Sequence, residues 1–249
     1  MELGNPIAKG NTAAIYLHDN KIIKMFNDYL PETESFNEAN KQKHAYSCGL
    51  PVPEIYRVAK INGKQAIMME YVKGRTLGDL LFENRDQAEY YLDLSIDIQQ
   101  KIHRVIPDTI EPMYDKLSRQ IATAAKLETR QKSYLLKKLE SITYENRLCH
   151  GDFHLFNLIQ SDKKIVVIDW VDSSAGDIRA DIYRTYLLYS QRSLELAELY
   201  LRLYCEKSGL LRADIFQWAP IIAGARLSET VSSENAERLM EIINHDYPF

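Results

Sequence analysis

Two hairpin signals within the first 72 residues constrain the fold more than any other feature of the chain. Asn62-Gly63 separates two strand-like runs, residues 55–60 and 64–72, and this dipeptide suits the two-residue turns whose twist matches that of paired strands. His18-Asp19-Asn20 separates a second pair, residues 12–17 and 21–26. Strands joined so tightly run antiparallel, so the N-terminal part is an antiparallel sheet. Between the hairpins residues 35–48 read as a helix, started by a Ser35/Glu38 capping box and stopped by Gly49 and Pro51.

Beyond residue 72 the pattern changes to helical spacing. Ala88, Tyr91, Leu92, Ser95, Ile98, Ile102 and Val105 recur every three or four residues, and similar stripes run through residues 134–142, 182–204 and 236–243. One stretch interrupts them: residues 148–159 read as loop, and residues 164–169 as a short buried strand ending in Asp169. Strands first and helices after predict an α+β fold, with domains at residues 1–72 and 73–249 meeting at the composition shift near Lys73-Gly74.

The chain has 249 residues with a formal net charge of -4, which excludes the basic footprint of a nucleic-acid or anionic-membrane binder. The 3 cysteines, Cys48, Cys149 and Cys205, are widely spaced and form no Cys-x-x-Cys pair, so they read as buried small hydrophobes in a reducing compartment rather than a disulfide framework or zinc site. The longest apolar stretch, residues 218–225, is too short to span a bilayer, and the first six residues have no apolar signal core. The expected location is cytoplasmic; oligomeric state is left open.

Chemistry concentrates in His150-Gly151-Asp152-Phe153-His154-Leu155-Phe156-Asn157, followed by Asp169. Three oxygen-bearing side chains on a loop and a strand end suit a hard cation with a phosphate, leaving one carboxylate to handle a proton. The five-residue step from Asp152 to Asn157 is the step of a kinase catalytic loop. On these residues the chain resembles the aminoglycoside phosphotransferase and choline kinase family, small-molecule relatives of the protein kinases. The upstream order agrees: Lys24 in a strand, Glu38 on the following helix, and Met68-Met69-Glu70-Tyr71-Val72-Lys73-Gly74 where a hinge would lie.

The resemblance implies a bilobal protein-kinase-like fold, with a small antiparallel-sheet N-lobe and a mostly helical C-lobe that close on ATP (or GTP) and Mg2+. It implies transfer of the gamma phosphoryl group to a hydroxyl of a small-molecule acceptor. Asp152 would be the catalytic base, and Asn157 and Asp169 the metal ligands. Lys24 would hold the alpha and beta phosphates and Glu38 would hold Lys24, while Glu70 and Val72 would meet the purine edge through backbone groups. Gly10, Asn11 and Thr12 would form the phosphate-covering turn. Asp181 would brace the catalytic loop through buried backbone hydrogen bonds.

Departures from the protein-kinase pattern fit the small-molecule branch. Gly10 stands alone rather than in a Gly-x-Gly-x-x-Gly loop, Gly151 replaces the catalytic-loop arginine, Ile168-Asp169-Trp170 replaces Asp-Phe-Gly, and no Ala-Pro-Glu segment follows. The alternatives are a nucleotide-binding pseudokinase, which would have lost Asp152, Asn157 or Asp169, or a protein kinase, for which the span from Asp169 to Gly176 leaves little room. Taken singly, Glu38 also fits the capping box, Lys24 a solvated charge and Asp169 a strand-end cap; their joint order carries the kinase reading. His150 and His154 flank Asp152 as in a metallohydrolase, but no second His-rich cluster exists to complete a ligand set. His103 reads as a packed core residue.

The acceptor is addressed only by charge. Residues 228–249 hold five acids (Glu229, Glu234, Glu237, Glu241 and Asp246) against Arg238, a balance of -4. This is either a solvated helix face or the lining of a pocket for a cationic acceptor such as an aminoglycoside. The ending Asp246-Tyr247-Pro248-Phe249 resembles the acidic, Phe-terminated ends of aminoglycoside 3'-phosphotransferases. Asp172 stands between substrate contact and loop cap.

Overall fold

The computed structural model describes residues 3–162, 164–229 and 234–247. The chain runs through β1 (Ala8–Lys9), β2 (Ala13–His18), β3 (Lys21–Phe26), α1 (Glu34–Ser47), β4 (Ile55–Ile61), β5 (Lys64–Glu70), β6 (Arg75–Thr76), α2 (Leu77–Glu83), α3 (Ala88–His103), α4 (Met113–Thr123) and α5 (Thr129–Ser141). It continues through β7 (Arg147–Cys149), β8 (Leu158–Gln160), β9 (Ile165–Val167), β10 (Ser174–Gly176), α6 (Ile178–Ser190), α7 (Leu194–Ser208), α8 (Arg212–Phe216), α9 (Ala219–Arg226) and α10 (Ala236–Asp246). Two compact units result, Met1–Glu83 with Phe156–Val171 and Asn84–Leu155 with Asp172–Phe249. The composition shift at Lys73-Gly74 lies inside the first, because β6 pairs with β8 and α2 packs on β8. No helix among the described residues is long and apolar enough to cross a membrane.

The first unit is built on an antiparallel sheet of order β1-β2-β3-β5-β4. Both hairpins form at the expected turns: Asp19 and Asn20 have φ of 48° and 56°, Asn62 and Gly63 of 52° and 84°. Two consecutive positive values define the turn that Asn, Asp and Gly tolerate best. Phe26, Ala39, Ile67 and Met69 pack together, burying one face of the sheet under α1. A second, small sheet of order β6-β8-β9 completes the unit, with Asn157 just before β8 and Asp169 shortly after β9.

The capping box does not form. Helix α1 begins at Glu34, so Ser35 lies inside the helix and its N–H donates to Gln65 Oε1 at 3.0 Å. Glu38 is then free to turn inward, where burial and a lysine partner decide its position. The cysteines also depart from the expectation: Cys149 is buried, Cys48 is exposed and Cys205 is intermediate, all three free.

In the second unit the continuous stripe expected over residues 182–204 is two helices. Ser193 interrupts it because its hydroxyl accepts the Leu196 N–H at 3.1 Å and caps α7, a local bond that competes with helix continuation. Trp218, Tyr200, Tyr204, Leu92, Ile96 and Ile102 are fully buried in this unit. Strand β7 pairs antiparallel with β10, which sets His150 and Gly151 immediately after one strand and Asp172 just before the other.

Candidate active site

Lys24 sits on β3 between the core residues Ile23 and Phe26 and is only 7% exposed. A buried ammonium is costly unless paired, and Lys24 Nζ donates to Glu38 Oε1 at 2.6 Å and to Asp169 Oδ1 at 3.0 Å. Burial opposes its charge, but the Asp169 and Glu38 carboxylates outweigh it and raise the lysine pKa. Burial pushes the Glu38 carboxyl up to about 7 although Lys24 pulls it down, and Glu38 Oε2 is buried without a hydrogen-bond partner. With all three groups ionised, one lysine faces two carboxylates and the cluster carries one negative charge in excess.

Asp169 follows β9 with φ of 64°, and its side chain is 39% exposed. Asn157, at the start of β8, accepts the Ile168 N–H on its backbone oxygen at 3.0 Å, so the antiparallel register sets it beside Asp169. An amide and a carboxylate are hard oxygen donors, and the uncompensated charge of the lysine cluster is of the sign a divalent cation answers; the residues present fit Mg2+.

Of the other expected nucleotide residues, Gly10 donates its N–H to Ala13 O at 2.9 Å and Thr12 O accepts the Asn27 N–H at 2.8 Å, so this turn is tied to the strand that carries Lys24. Glu70 ends β5; its N–H donates to Glu54 O at 2.8 Å, and its carboxylate accepts the Glu54 N–H at 3.2 Å. Val72 follows, half-buried.

In the second unit the loop after β7 is held by its peptide groups. Gly151 N–H donates to Asp181 Oδ1 at 2.7 Å, and Gly151 O accepts from Arg184 Nε at 3.1 Å. Asp181 and Arg184 are three residues apart on α6, so one helix face grips both sides of this glycine. Asp181 is held in turn by His103 Nε2 at 2.8 Å and Gln99 at 3.3 Å. Burial raises its pKa, but the His103 hydrogen bond and charge with the Gly151 N–H hold it down to about 2. The bracing role expected of Asp181 is the one observed, and His103 is the buried core residue expected, bonded also to Tyr204 Oη at 2.8 Å.

Asp152 comes next. Its carboxylate lies 3.4 Å from His154 Nε2, and its N–H donates to His150 Nδ1 at 3.3 Å. Burial opposes ionisation, but His154, Arg184 and His150 together hold the carboxyl well below the ordinary aspartate range. It is therefore ionised at neutral pH. Asp172 is paired with Lys116, whose Nζ lies 2.8 Å from Oδ1 and 2.5 Å from the backbone oxygen. Among the described residues one His/Cys/Asp/Glu trio lies close enough to ligate a metal: His103, Cys149 and Asp181. All three are buried, and the histidine and aspartate are already spent on each other.

The C-terminal carboxylates do not form one acidic surface. Glu234 pairs with Arg226 at 3.0 Å and Arg238 at 3.3 Å, and Asp246 pairs with Lys138 at 2.7 Å and accepts from Tyr134 Oη at 2.7 Å. Glu237 and Glu241 are exposed on α10, and Phe249 lies outside the described residues. Glu229 pairs with Arg184 at 2.8 Å and also with Arg226. Arg184, Arg226, Lys116 and Lys41 went unmarked in the sequence; the available signal was Arg184 one turn beyond Asp181, on the same helix face.

A model of the phosphotransferase enzyme family matches residues 4–216. The chain is 26% identical over 226 residues to acyl-CoA dehydrogenase family member 11 of Rattus norvegicus, covering 73% of this chain and 28% of that protein. It is 27% identical over 188 residues to the Homo sapiens protein of the same name, covering 64% and 24%. The chain thus spans about a quarter of the length of these curated relatives. Among solved structures, a thermostable mutant of aminoglycoside phosphotransferase APH(4)-Ia in ternary complex with ADP and hygromycin B aligns with TM-score 0.72 at 14% identity, covering 98% of this chain and 94% of that one. Choline kinase LicA from Streptococcus pneumoniae aligns with TM-score 0.67 at 15% identity, covering 97% and 92%. These likenesses show a kinase-like α+β fold. With the family match extending over most of its length, the chain belongs to the phosphotransferase enzyme family.

Proposed function

We propose that the chain is a small-molecule kinase that moves the gamma phosphoryl group of ATP, or GTP, to an acceptor hydroxyl. The observation that carries this reading is the buried Lys24–Glu38–Asp169 cluster, three charges 2.6 and 3.0 Å apart that no packing need of the sheet requires. In it Lys24 holds the alpha and beta phosphates, Glu38 fixes the lysine's direction, and Asn157 with Asp169 would hold Mg2+. Bound there, Mg2+ supplies charge neutralisation of the beta and gamma phosphates. Glu70 O and Val72 N–H meet the purine edge, and the turn at Gly10 and Thr12 covers the phosphates. Asp152, kept ionised by its histidine and arginine neighbours, accepts the proton of the acceptor hydroxyl as the new O–P bond forms and the bond to the beta-phosphate oxygen breaks. Residues 1–72 then act as the nucleotide side and residues 73–249 as the catalytic and acceptor side.

The acceptor in this reading is a hydroxylated small molecule that needs no cluster of positive charges. An aminoglycoside pocket would call for surplus carboxylate, whereas Asp172, Glu229, Glu234 and Asp246 each already hold a cation. Glu237 and Glu241, exposed on α10, remain candidates for the acceptor lining, and Phe249, the third, lies outside the described residues. The test is ADP release by the purified chain with Mg-ATP across neutral, anionic and cationic hydroxylated compounds, with product phosphorylation checked directly. Asp152→Asn is expected to lower turnover at least a hundredfold while AMP-PNP binding persists. Near wild-type turnover in that variant would overturn the assignment.

A further inference from the structure

We infer that Lys41 is a positioning residue for the Asp169 carboxylate, a step that rests on the phosphotransferase reading above. Lys41 lies one helical turn beyond Glu38 on α1, on the same face. Its Nζ donates to the backbone oxygen of Val171 at 2.6 Å, two residues past Asp169. The turn it reaches is an uncommon one. Asp169 has φ of 64°, the left-handed region that a residue with a side chain keeps only where its surroundings hold it there. On the entry side Trp170, fully buried, donates Nε1–H to Val167 O at 3.2 Å. On the exit side the Lys41 ammonium is bound to the Val171 carbonyl, and Lys24 holds the Asp169 carboxylate between them.

The helix supplying this contact is itself fixed. Gln42 Nε2, buried, donates to Pro53 O at 2.7 Å, and the Ser35 N–H is held by Gln65 at 3.0 Å. Helix α1 therefore approaches the Asp169 turn by two routes from one rigid frame: through Glu38 and Lys24 to the side chain, and through Lys41 to the backbone. The first route fixes one carboxylate oxygen. The second fixes the backbone angle from which the carboxylate projects, and hence the direction of the other oxygen. A hydrogen bond from an ammonium is among the stronger ones, so its loss lets the turn relax toward ordinary backbone angles and swings the carboxylate away. Helix α1 thus sets metal affinity without touching the metal.

Calorimetric titration of Mg2+ into the chain with AMP-PNP tests this, alongside nucleotide binding in EDTA and the melting temperature, for wild type, Lys41→Met, Lys41→Arg and Asp169→Asn. Lys41→Met is expected to raise the half-saturating Mg2+ concentration about tenfold, with nucleotide binding in EDTA unchanged, and Lys41→Arg to restore most of the affinity. A Lys41→Met curve matching wild type while Asp169→Asn loses its metal dependence would overturn the role of Lys41 and leave the phosphotransferase reading standing. A lowered melting temperature with an unmoved Mg2+ curve would reduce Lys41 to a structural contact. Wild-type Mg2+ dependence in Asp169→Asn would overturn the metal assignment itself and this inference with it.

Discussion

Replacing Gly151 by alanine tests whether the loop before Asp152 is held as rigidly as its hydrogen bonds imply. Gly151 has φ of 81°, where an alanine costs about 1 kcal/mol. Its added Cβ would also lie 2.3 Å from Asp172 O and 2.9 Å from the carbonyl carbon, contacts with backbone that no side-chain rotation relieves. The crowded carbonyl cannot easily yield, because Lys116 Nζ holds it at 2.5 Å. Gly151 cannot yield either without loosening its bonds to Asp181 and Arg184 at 2.7 and 3.1 Å. Relief requires giving up at least one charge-assisted hydrogen bond, each about 1.5–3 kcal/mol, so the total is about 2.5–4 kcal/mol. Gly209→Ala is the control: φ there is 74° but nothing lies within 4 Å, so the backbone term of about 1 kcal/mol acts alone. Urea unfolding of both variants isolates the difference, about 1.5–3 kcal/mol. Turnover is expected to fall about a hundredfold in Gly151→Ala and to stay unchanged in Gly209→Ala, since displacement of the neighbouring aspartate by an ångström is enough. Equal stabilities within about 0.5 kcal/mol and equal turnovers would refute the reasoning.

Lys24→Met strands the buried Glu38 carboxylate and is expected to destabilise by about 3 kcal/mol, while adding Glu38→Gln recovers much of that stability but none of the nucleotide affinity; recovery of both would return the pair to a packing role. Asp181 links stability to acid: its folded pKa of about 2 lies below the ordinary 3.8, so its contribution is complete above pH 3.8 and is lost as pH falls toward 2. The amount is about 2 kcal/mol, and Asp181→Asn should show a correspondingly shallower loss of stability across that window in urea unfolding; parallel curves would refute the linkage.

What was legible in the sequence was local. The hairpin turns at Asn20 and Asn62-Gly63 write their backbone angles into residue type, and the step from Asp152 to Asn157 survives as spacing because both lie on one short loop. Helix α4 was missed although Met113, Leu117 and Ile121, its buried positions, recur every four residues; with Pro112 before it and few apolar residues elsewhere the stripe is easily read as loop. The Ser35/Glu38 capping box satisfied every local rule and still failed, because Gln65 and Lys24, 30 and 14 residues away, bind those two residues more strongly than they bind each other. The break at Ser193 failed in the opposite direction: one capping hydroxyl outweighed a helical stripe on either side.

The acidic C-terminal segment shows why charge is the least legible quantity. A sum over sequence counts carboxylates, but a field depends on which cations stand beside them. Arg184, Glu229, Arg226, Glu234 and Arg238 alternate in sign, each paired with the next, and three of the five come from helices α6, α9 and α10. Buried charges survive only in such company, since an unmatched one would cost several kcal/mol. The chain of charges starts at Gly151 O, which Arg184 holds, and ends where Arg238 donates to Leu187 O and Ser190 Oγ at the end of α6. Three arginines against two glutamates make its net charge positive, opposite to the sum that the tail alone suggests. The same residues therefore tie the C-terminal helix to the glycine that precedes Asp152, and a carboxylate removed from this chain of charges should be felt in the geometry of that loop.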